Sequence, residues 1–333
     1  MVSAPAHPGL HPAPFRYVPL KGEWARLLAA ATGAVSVERA LHVRQLPLGY
    51  YRFSACGGVT RFGKVVHLGD ATRLEAANQL TARLAAAGVP VVSADPGYRM
   101  LDGSHVLFLY DWVEGHFSSG QDVEMHSLGS ALARLHAGLH SLTPHAHGDA
   151  MSWQRLEALS RMGTLPGGAA VQLDSFLLRR SGIEDLLSAA PQPIHNDLHL
   201  GNILFTGGRV AAFLDFEEAL HSTGNPLIDL SWVLERFCFL VHNLCKAQRL
   251  ASAFLSAYLA AAPCPPCIDG GLAECMRWRA LNALALLAAS RPSAETAGWR
   301  SEWEKFSLIL VKLSGWGSAL SDLEKRYLNC GGR

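Results

Sequence analysis

The feature that most constrains this chain is a polar cluster set between apolar runs at residues 193–205, PIHNDLHLGNILF. A second apolar run, AAFL at 211–214, leads directly into Asp215. Short apolar runs of this kind are typical of buried strands. A hairpin made from the two runs would bring Asp197, Asn202 and Asp215 to the same edge. Polar side chains beside a buried strand are costly unless they are hydrogen-bonded or have a chemical role.

Carboxylate and amide oxygens are the ligands that hard divalent ions such as Mg²⁺ prefer. Asn202 and Asp215 supply such oxygens, which leaves Asp197 to accept a proton from an attacking hydroxyl. This division of roles is the one that phosphoryl transfer requires. A zinc site at His195 and His199, four residues apart, is the alternative. It leaves Asp197 and Asn202 unexplained, and no third ligand is obvious.

The composition excludes several other classes of protein. The 333 residues are 49% hydrophobic and 17% charged with a net charge of +1, so we expect a packed core and no affinity for nucleic acid or an anionic membrane. The N-terminus lacks a secretory signal, and the apolar stretch at 281–289 is far shorter than the roughly 20 residues of a membrane span. Seven cysteines, mostly isolated, indicate reduced thiols in a cytoplasmic protein. CPPC at 264–267 is either a metal or redox motif or, as we favour, a proline-stiffened loop.

The pattern along the chain predicts an α+β fold with a small antiparallel sheet lobe and a larger, mostly helical lobe. We expect a loose lead-in over 1–20, a sheet lobe with one main helix over 21–115, and a helical lobe over 116–333. The predicted helices are 21–32, 70–88 and 126–142, and the predicted strands are 37–47, 50–56, 60–68, 89–94 and 105–113.

The sheet lobe also offers a charge pair. Lys64 lies on a predicted strand, and Glu75 lies on the helix that follows it. Their separation fits a strand-to-helix ion pair, with the lysine placed to bind phosphate. Each residue taken alone would be an ordinary surface side chain, so Glu75 depends on Lys64 for its meaning.

These motifs resemble those of the aminoglycoside phosphotransferase/choline kinase family, which shares the protein-kinase-like fold. The family's His-x-Asp-x-x-x-x-Asn motif is matched by His195, Asp197 and Asn202, and its metal-binding aspartate by Asp215 in LDFEEA. The phosphate-binding lysine and its partner are matched by Lys64 and Glu75. The similarity runs from about residue 37 to residue 260.

The resemblance implies an ATP- and Mg²⁺-dependent kinase that acts on a hydroxyl of a small molecule. It implies that the backbone of Asp111, Trp112 and Val113 meets the adenine and that His195 hydrogen-bonds within the catalytic loop. Asp229, in NPLIDLSWVL, would support the same loop, and we favour this over a direct chemical role. The nucleotide-covering loop departs from the family's pattern, because QLPLGYYRF has a single glycine, Gly49.

The acceptor is less well defined by the sequence. His199, Glu217 and Glu218 are candidate acceptor-binding residues, although Glu217 and Glu218 equally suit a solvated turn. Tryptophans of the helical lobe could stack on a sugar, but such tryptophans are more often core residues. The cluster of His136, His140, His145 and His147 is most simply structural. We expect a sugar, amino sugar or aminoglycoside-like acceptor, with choline, another amino alcohol or homoserine as alternatives.

Two functions of other classes remain open. One is a nucleotide-binding pseudokinase that serves as a scaffold, although every expected catalytic position is filled. The other is a protein kinase, although no Ala-Pro-Glu sequence follows Asp215 to end an activation segment.

Overall fold

The computed structural model describes residues 16–41, 46–141, 153–165, 167–189, 191–262, 271–291 and 296–328. These residues divide into two compact units. The sheet unit takes its described residues from Ala13–Phe117 and Asn202–Leu220. The helical unit takes its described residues from Ser118–Gly201 and His221–Arg333.

The sheet unit is built on six antiparallel strands in the order β1-β2-β3-β4-β6-β5. The glycines at 57 and 58, both with positive φ, lie in the turn between β3 and β4, as expected from the sequence. The strands and the two helices of this part are β1 (Tyr17–Pro19), α1 (Glu23–Thr32), β2 (Ser36–Ala40), β3 (Gly49–Ser54), β4 (Thr60–His67), α2 (Ala71–Ala86), β5 (Arg99–Met100) and β6 (His105–Asp111).

The two faces of this sheet bury different sets of side chains. Leu107 and Leu109 of β6 pack in a cluster that includes Leu28 of α1. Val106 and Phe108 point to the opposite face and pack with Leu74 of α2. Strand alternation produces this division. Lys64 pairs with Phe108 across β4 and β6, so its side chain lies on the α2 face.

Two sequence predictions for this unit were wrong. Residues 89–94 form no strand, and only single bridges link Val91 to Phe213 and Ala94 to Tyr110. Tyr17–Pro19 belong to an edge strand rather than to a loose lead-in, since they pair with β2. The ring of Tyr17 lies 6.0 Å from that of Trp112, a contact between residues distant in sequence.

A two-stranded hairpin, β8 (Ile203–Thr206) and β9 (Arg209–Phe213), completes the sheet unit. Its turn is Gly207-Gly208, both with positive φ, which glycine adopts without steric cost. Phe213 N–H donates to the Pro90 carbonyl at 2.8 Å. The hairpin is thereby hydrogen-bonded to the segment that precedes β5.

The helical unit contains most of the helices and a short two-stranded pairing of β7 with β10. α3 begins with a capping box between Gln121 and Glu124, and α8 begins with the Asn243 side chain accepting from Lys246 N–H. Among the described residues, no helix is long and apolar enough to cross a membrane. The elements are α3 (Asp122–His140), α4 (Trp153–Met162), α5 (Gly167–Leu178), α6 (Arg180–Ser188), β7 (Gln192–Pro193), β10 (Thr223–Gly224), α7 (Leu227–Val233), a π-helical segment (Leu234–Phe239), α8 (Leu244–Ala261), α9 (Gly271–Ala289) and α10 (Ala297–Tyr327).

The packing of α3 on α8 gives a direct test of this core. A Cβ at Gly129 would overlap the Phe254 carbonyl oxygen and lie 2.9 Å from Tyr258 N. Because both contacts are with backbone, Gly129→Ala should destabilise the protein by about 1–3 kcal/mol. Gly315→Ala is the matched control, since a Cβ there in α10 meets nothing within 4 Å and should stabilise by about 0.5–1 kcal/mol. Denaturant unfolding of the two variants measures both, and a Gly129→Ala protein as stable as the parent would contradict the packing.

Candidate functional site

In the sheet unit, Lys64 lies between two acidic side chains. Its ammonium group pairs with Glu217 Oε1, and it lies 3.9 Å from Asp215 Oδ1. The Lys64 side chain is 18% exposed, so these contacts are partly shielded from solvent. Burial alone would lower the pKa of Lys64, but the negative charges of Asp215 and Glu217 raise it well above its usual value. The lysine is therefore held as a cation beside two carboxylates.

The partner of Lys64 differs from the one predicted. Among the described residues Lys64 forms its ion pairs with Glu217 and Asp215, and the predicted pair with Glu75 is not formed. Glu217 also binds Arg73, whose Nη2 lies 2.7 Å from Glu217 Oε2. Glu217 thus joins β4 to the first turn of α2, and its acceptor-binding role stays a prediction. Glu218 is exposed at the start of a 3₁₀ turn, and its acceptor-binding role stays a prediction.

Asn202 and Asp215 lie at corresponding ends of the β8–β9 hairpin. Ile203 pairs with Phe213, and the Asn202 carbonyl accepts from Leu214 N–H at 2.9 Å. Asp215 follows at once, with φ of 58°. This left-handed conformation is uncommon for a residue other than glycine and is found at functional sites.

The oxygen chemistry of these two residues fits a hard divalent cation. One carboxylate and one amide are among the ligands that Mg²⁺ takes, with water and substrate phosphates supplying the rest. Among the described residues no group of three His, Cys, Asp or Glu side chains could hold a metal. CPPC 264–267 lies outside the described residues.

The predicted hinge lines a cavity of about 350 Å³ in the sheet unit. Its wall includes Asp111, Trp112 and Val113, and most of the wall is apolar. Asp111 N–H donates to the Ser93 carbonyl at 2.9 Å, whereas no described group accepts from the backbone amides of Trp112 and Val113. The other lining residues are Tyr17, Arg52, Phe62, Val92, Gly115, His116, Phe117, Leu204 and Leu214.

In the helical unit, two histidine side chains of the loop around Asp197 accept hydrogen bonds from the loop's own backbone. The His195 side chain is fully buried, and its Nδ1 accepts from Asp197 N–H at 3.3 Å. His199 Nδ1 accepts from Gly201 N–H at 3.0 Å, and His199 Nε2 lies 3.6 Å from Asp197 Oδ2. Asn196 has φ of 60°, a second left-handed residue next to a candidate catalytic side chain.

Asp229 holds this loop from α7. Its buried carboxylate accepts from the backbone amides of His195 and Asn196, each at 2.8 Å. A third contact joins Asp229 Oδ2 to His136 Nε2 at 3.0 Å, while His136 Nδ1 lies 2.8 Å from the Tyr258 hydroxyl. Burial raises the pKa of Asp229, but the hydrogen bonds and the neighbouring histidines outweigh it and lower the pKa below its usual value.

Sequence reasoning therefore missed several contributors to these sites. The sequence indicated a structural role for His136 but not its partner: His136 hydrogen-bonds the carboxylate that supports the loop. Arg73 carried no sequence signal, because an arginine on a helix is ordinarily solvated. His140 lies at the exposed end of α3, and His145 and His147 lie outside the described residues.

Comparison with known proteins gives these sites a context. The family model described as the phosphotransferase enzyme family matches residues 42–270. A comparison with curated protein sequences found no significant match. The resemblance inferred from the motifs is confirmed by the family match.

Solved structures share the fold at low sequence identity. An aminoglycoside phosphotransferase from Alicyclobacillus acidocaldarius is 14% identical, covers 86% of this chain and 94% of its own, and has a TM-score of 0.62. A spectinomycin phosphotransferase in complex with ADP and spectinomycin is 12% identical, with coverages of 87% and 97% and a TM-score of 0.59. A choline kinase from Streptococcus pneumoniae is 13% identical, with coverages of 86% and 97% and a TM-score of 0.59. The predicted α+β, protein-kinase-like fold class is confirmed by these likenesses.

The loop contacts of Asp229 give a stability prediction. Asp229→Ala leaves two backbone amides and a buried histidine nitrogen without their acceptor, so we expect a loss of about 3 kcal/mol or more. Asp174→Ala is the control, because this exposed carboxylate accepts one hydrogen bond, from Ser160 at 3.1 Å, and should change stability by less than about 0.5 kcal/mol. The measurement is denaturant unfolding, and equal losses in the two variants would show that Asp229 does not support the loop.

Proposed function

The chain belongs to the phosphotransferase enzyme family, and from this premise we propose that it is an ATP- and Mg²⁺-dependent kinase that phosphorylates a hydroxyl of a small molecule. The observation that carries the proposal is the paired arrangement of Lys64 and Asp215, 3.9 Å apart in the sheet unit. A buried cation beside an oxygen ligand suits the triphosphate of a metal-bound nucleotide. The nucleotide-bound members of the fold support the same cofactor, since one was solved with ADP.

In this mechanism the sheet unit binds the nucleotide. The apolar cavity at Trp112 and Val113 receives the adenine, and the two amides that have no described acceptor are available to its ring nitrogens. Lys64 binds the phosphate oxygens, and Asn202 and Asp215 hold Mg²⁺. When bound, the ion neutralises charge on the transferring phosphoryl group.

The helical unit supplies the acid–base step. Asp197 orients the acceptor hydroxyl and takes its proton as the oxygen attacks phosphorus. Asn196 has a left-handed backbone conformation, and the backbone amides of His195 and Asn196 donate hydrogen bonds to Asp229. These features hold the backbone on the N-terminal side of Asp197. Positioning of this kind provides much of the catalysis in phosphoryl transfer. His199, 3.6 Å from Asp197, lies beside the proposed base and retains its proposed acceptor-binding role.

The acceptor class proposed from the sequence loses part of its support. The preference for an aminoglycoside-like acceptor rested on Glu217, Glu218 and the tryptophans. Glu217 is engaged by Lys64 and Arg73, and Trp232 lies against two arginines. The proposed function is therefore stated for a hydroxyl acceptor, with the sugar, amino sugar and amino alcohol classes as members of a test panel.

Removing the proposed base tests the chemistry. Asp197→Asn keeps the size of the side chain but accepts a proton poorly, so transfer should fall by about 10²-fold or more. Nucleotide affinity should be unchanged, because Asp197 contacts the acceptor in this mechanism. The measurements are acceptor-dependent ADP release and calorimetric ATP binding, with the exposed α6 substitution Asp185→Asn as control. Undiminished transfer by Asp197→Asn would refute its role, and ATP binding without transfer to any acceptor by the parent would favour the pseudokinase.

Removing the metal carboxylate tests the nucleotide site. Asp215→Ala should weaken binding of Mg·ATP by about tenfold or more, because a charged metal ligand is lost. Binding of ATP in the presence of a chelator should change much less. Titrations with and without Mg²⁺ give the comparison, and Glu23→Ala on the exposed face of α1 is the control. Equal loss of affinity in both titrations would show that Asp215 acts on the fold rather than on the metal.

A further inference from the structure

A second charged cluster lies in the helical unit, and its residues have no role in the mechanism above. It joins Arg279 of α9 to Glu235 and Arg236 of the π-helical segment, and we call these three residues the arginine cluster. Arg236 Nε lies 2.9 Å from Glu235 Oε1, and Arg279 Nη1 lies 3.5 Å from Glu235 Oε2. The side chains are buried: Arg236 is 8% exposed, Arg279 is 5% exposed and Glu235 is 0% exposed.

The backbone beneath this cluster is itself unusual. Leu240 N–H donates to the Glu235 carbonyl at 3.0 Å, five residues back. Such π-helical turns are rare in proteins overall, and many of those known lie at functional sites. They alter the direction of the side chains that follow, and here the altered segment carries Glu235 and Arg236.

The cluster has one positive charge in excess. Two guanidinium groups face one carboxylate, and burying an unbalanced charge is expensive. Lys305 of α10 is the next cation, over the Phe306 ring at 4.8 Å, and its own ion pair is with Glu302. The excess charge therefore remains on the arginines.

The cluster also has more hydrogen-bond donors than acceptors. Arg236 Nε, Arg279 Nε and the Trp232 indole N–H are buried without a hydrogen-bond partner in the described part of the chain. Glu235 Oε1 is the one unsatisfied acceptor among these atoms; although it lies near Arg236 Nε, the two atoms do not form a hydrogen bond. Trp232 is part of the same group, since its ring lies 3.1 Å from Arg279 Cζ and 5.3 Å from Arg236 Cζ. Buried unsatisfied donors are rare in native proteins. Arg236 Nε has the Glu235 carboxylate beside it, whereas Arg279 Nε and the Trp232 indole N–H point to a missing acceptor.

The cluster lies close to the proposed base. The pKa of Arg279 is lowered to about 9, mainly because the side chain is buried; Arg236 lowers it further, while Glu235, Asp197 and Asp229 raise it. Trp232 lies on α7 three residues after Asp229, whose carboxylate accepts from the loop amides of His195 and Asn196. One short helix therefore carries both a neighbour of the arginines and the support of the Asp197 loop. The rings of Trp232 and Phe306, which lie against the arginines, are both partly exposed.

From these observations we propose that the arginine cluster binds a carboxylate of the phosphoryl acceptor, so that the substrate is a hydroxy acid rather than a polycation. This inference rests on the proposed kinase function and names its substrate class. One carboxylate matches the single excess charge and provides the acceptor oxygens that the arginine and indole N–H groups lack. The same molecule would present its hydroxyl to Asp197. Binding creates no covalent bond at the cluster.

The first test compares three acids with partners that have the same hydroxyl but no carboxylate. The pairs are D-glycerate with glycerol, D-gluconate with glucose, and L-homoserine with L-homoserinol, and kanamycin and choline represent cationic acceptors. Calorimetry should show that at least one acid binds with a dissociation constant within about 1 mM, the upper range of common KM values. Its neutral partner should bind at least about tenfold more weakly. Failure of all three acids to bind, or equal binding of acid and partner, overturns the inference.

The second test changes the cluster itself. Arg279→Met should weaken binding of the acid by about 10- to 100-fold, the loss expected for a charged hydrogen-bonded pair. Trp232→Phe keeps an aromatic face for the arginines and removes one N–H, so it should weaken binding by about threefold to tenfold. Arg249→Met is the control, because Arg249 is 62% exposed and paired with Asp122. If Arg279→Met does not fold, Trp232→Phe still tests the site. The inference is overturned if acid binding is unchanged in Trp232→Phe or in a folded Arg279→Met protein.

The transfer assay separates this inference from the proposed function. Acceptor-dependent ADP release with an acid supports both. Release with kanamycin, choline or neutral partners, together with no binding of the acids, leaves the kinase and overturns the carboxylate site. Acid binding that depends on Arg279 without any ADP release supports the site and contradicts the kinase.

Discussion

The loop that carries the proposed base depends on one buried carboxylate. Asp229 is fully buried, and its two oxygens accept from two successive backbone amides and contact a histidine on α3. The desolvation of such a group is unfavourable by several kcal/mol, and several donors are needed to offset it. The result is a loop whose backbone is set by α7 and α3, so Asp197 need not be ordered by its substrate.

Backbone strain occurs at both candidate sites. Asn196 and Asp215 have positive φ, and each conformation costs of order 1–3 kcal/mol unless its surroundings compensate. For Asn196 the compensation comes from two hydrogen bonds. Its backbone N–H donates to Asp229 Oδ1, and its side-chain amide donates to Ser222 Oγ at 2.9 Å. For Asp215 the compensation comes from the hairpin, whose second strand ends two residues earlier at Phe213. Strain that is retained next to an acidic side chain is a property of sites that must present that side chain at a fixed angle.

The sequence predicted the parts of this molecule that depend on local pattern. Apolar runs and glycine pairs located β3, β4 and the β8–β9 hairpin, and the motif spacing located the edge at Asn202 and Asp215. Strand β1 and the absence of a strand at 89–94 were missed, because edge pairing depends on partners distant in sequence. The predicted partner of Lys64 was wrong for a related reason. The sequence allows Lys64 to pair with either Glu75 or Glu217, and the position of the β8–β9 hairpin, which brings Glu217 to the lysine, is a tertiary property.

The two units contain similar charged groups, which the sequence alone did not reveal. In each, one glutamate lies between two cations, Glu217 between Lys64 and Arg73 and Glu235 between Arg236 and Arg279. Asp215 adds a further negative charge near Lys64, so two carboxylates balance the two cations of the first group. Lys64 donates a hydrogen bond to Glu217, and a phosphate chain must therefore compete with Glu217 for the lysine. In the second group the ion pairs are with Glu235, the charges of Asp197 and Asp229 raise the pKa of Arg279 less than Glu235 does, and buried donors stay unsatisfied. A site that is already neutral needs a metal ion to receive a polyanion, whereas a site with one uncompensated cation is complementary to a single carboxylate.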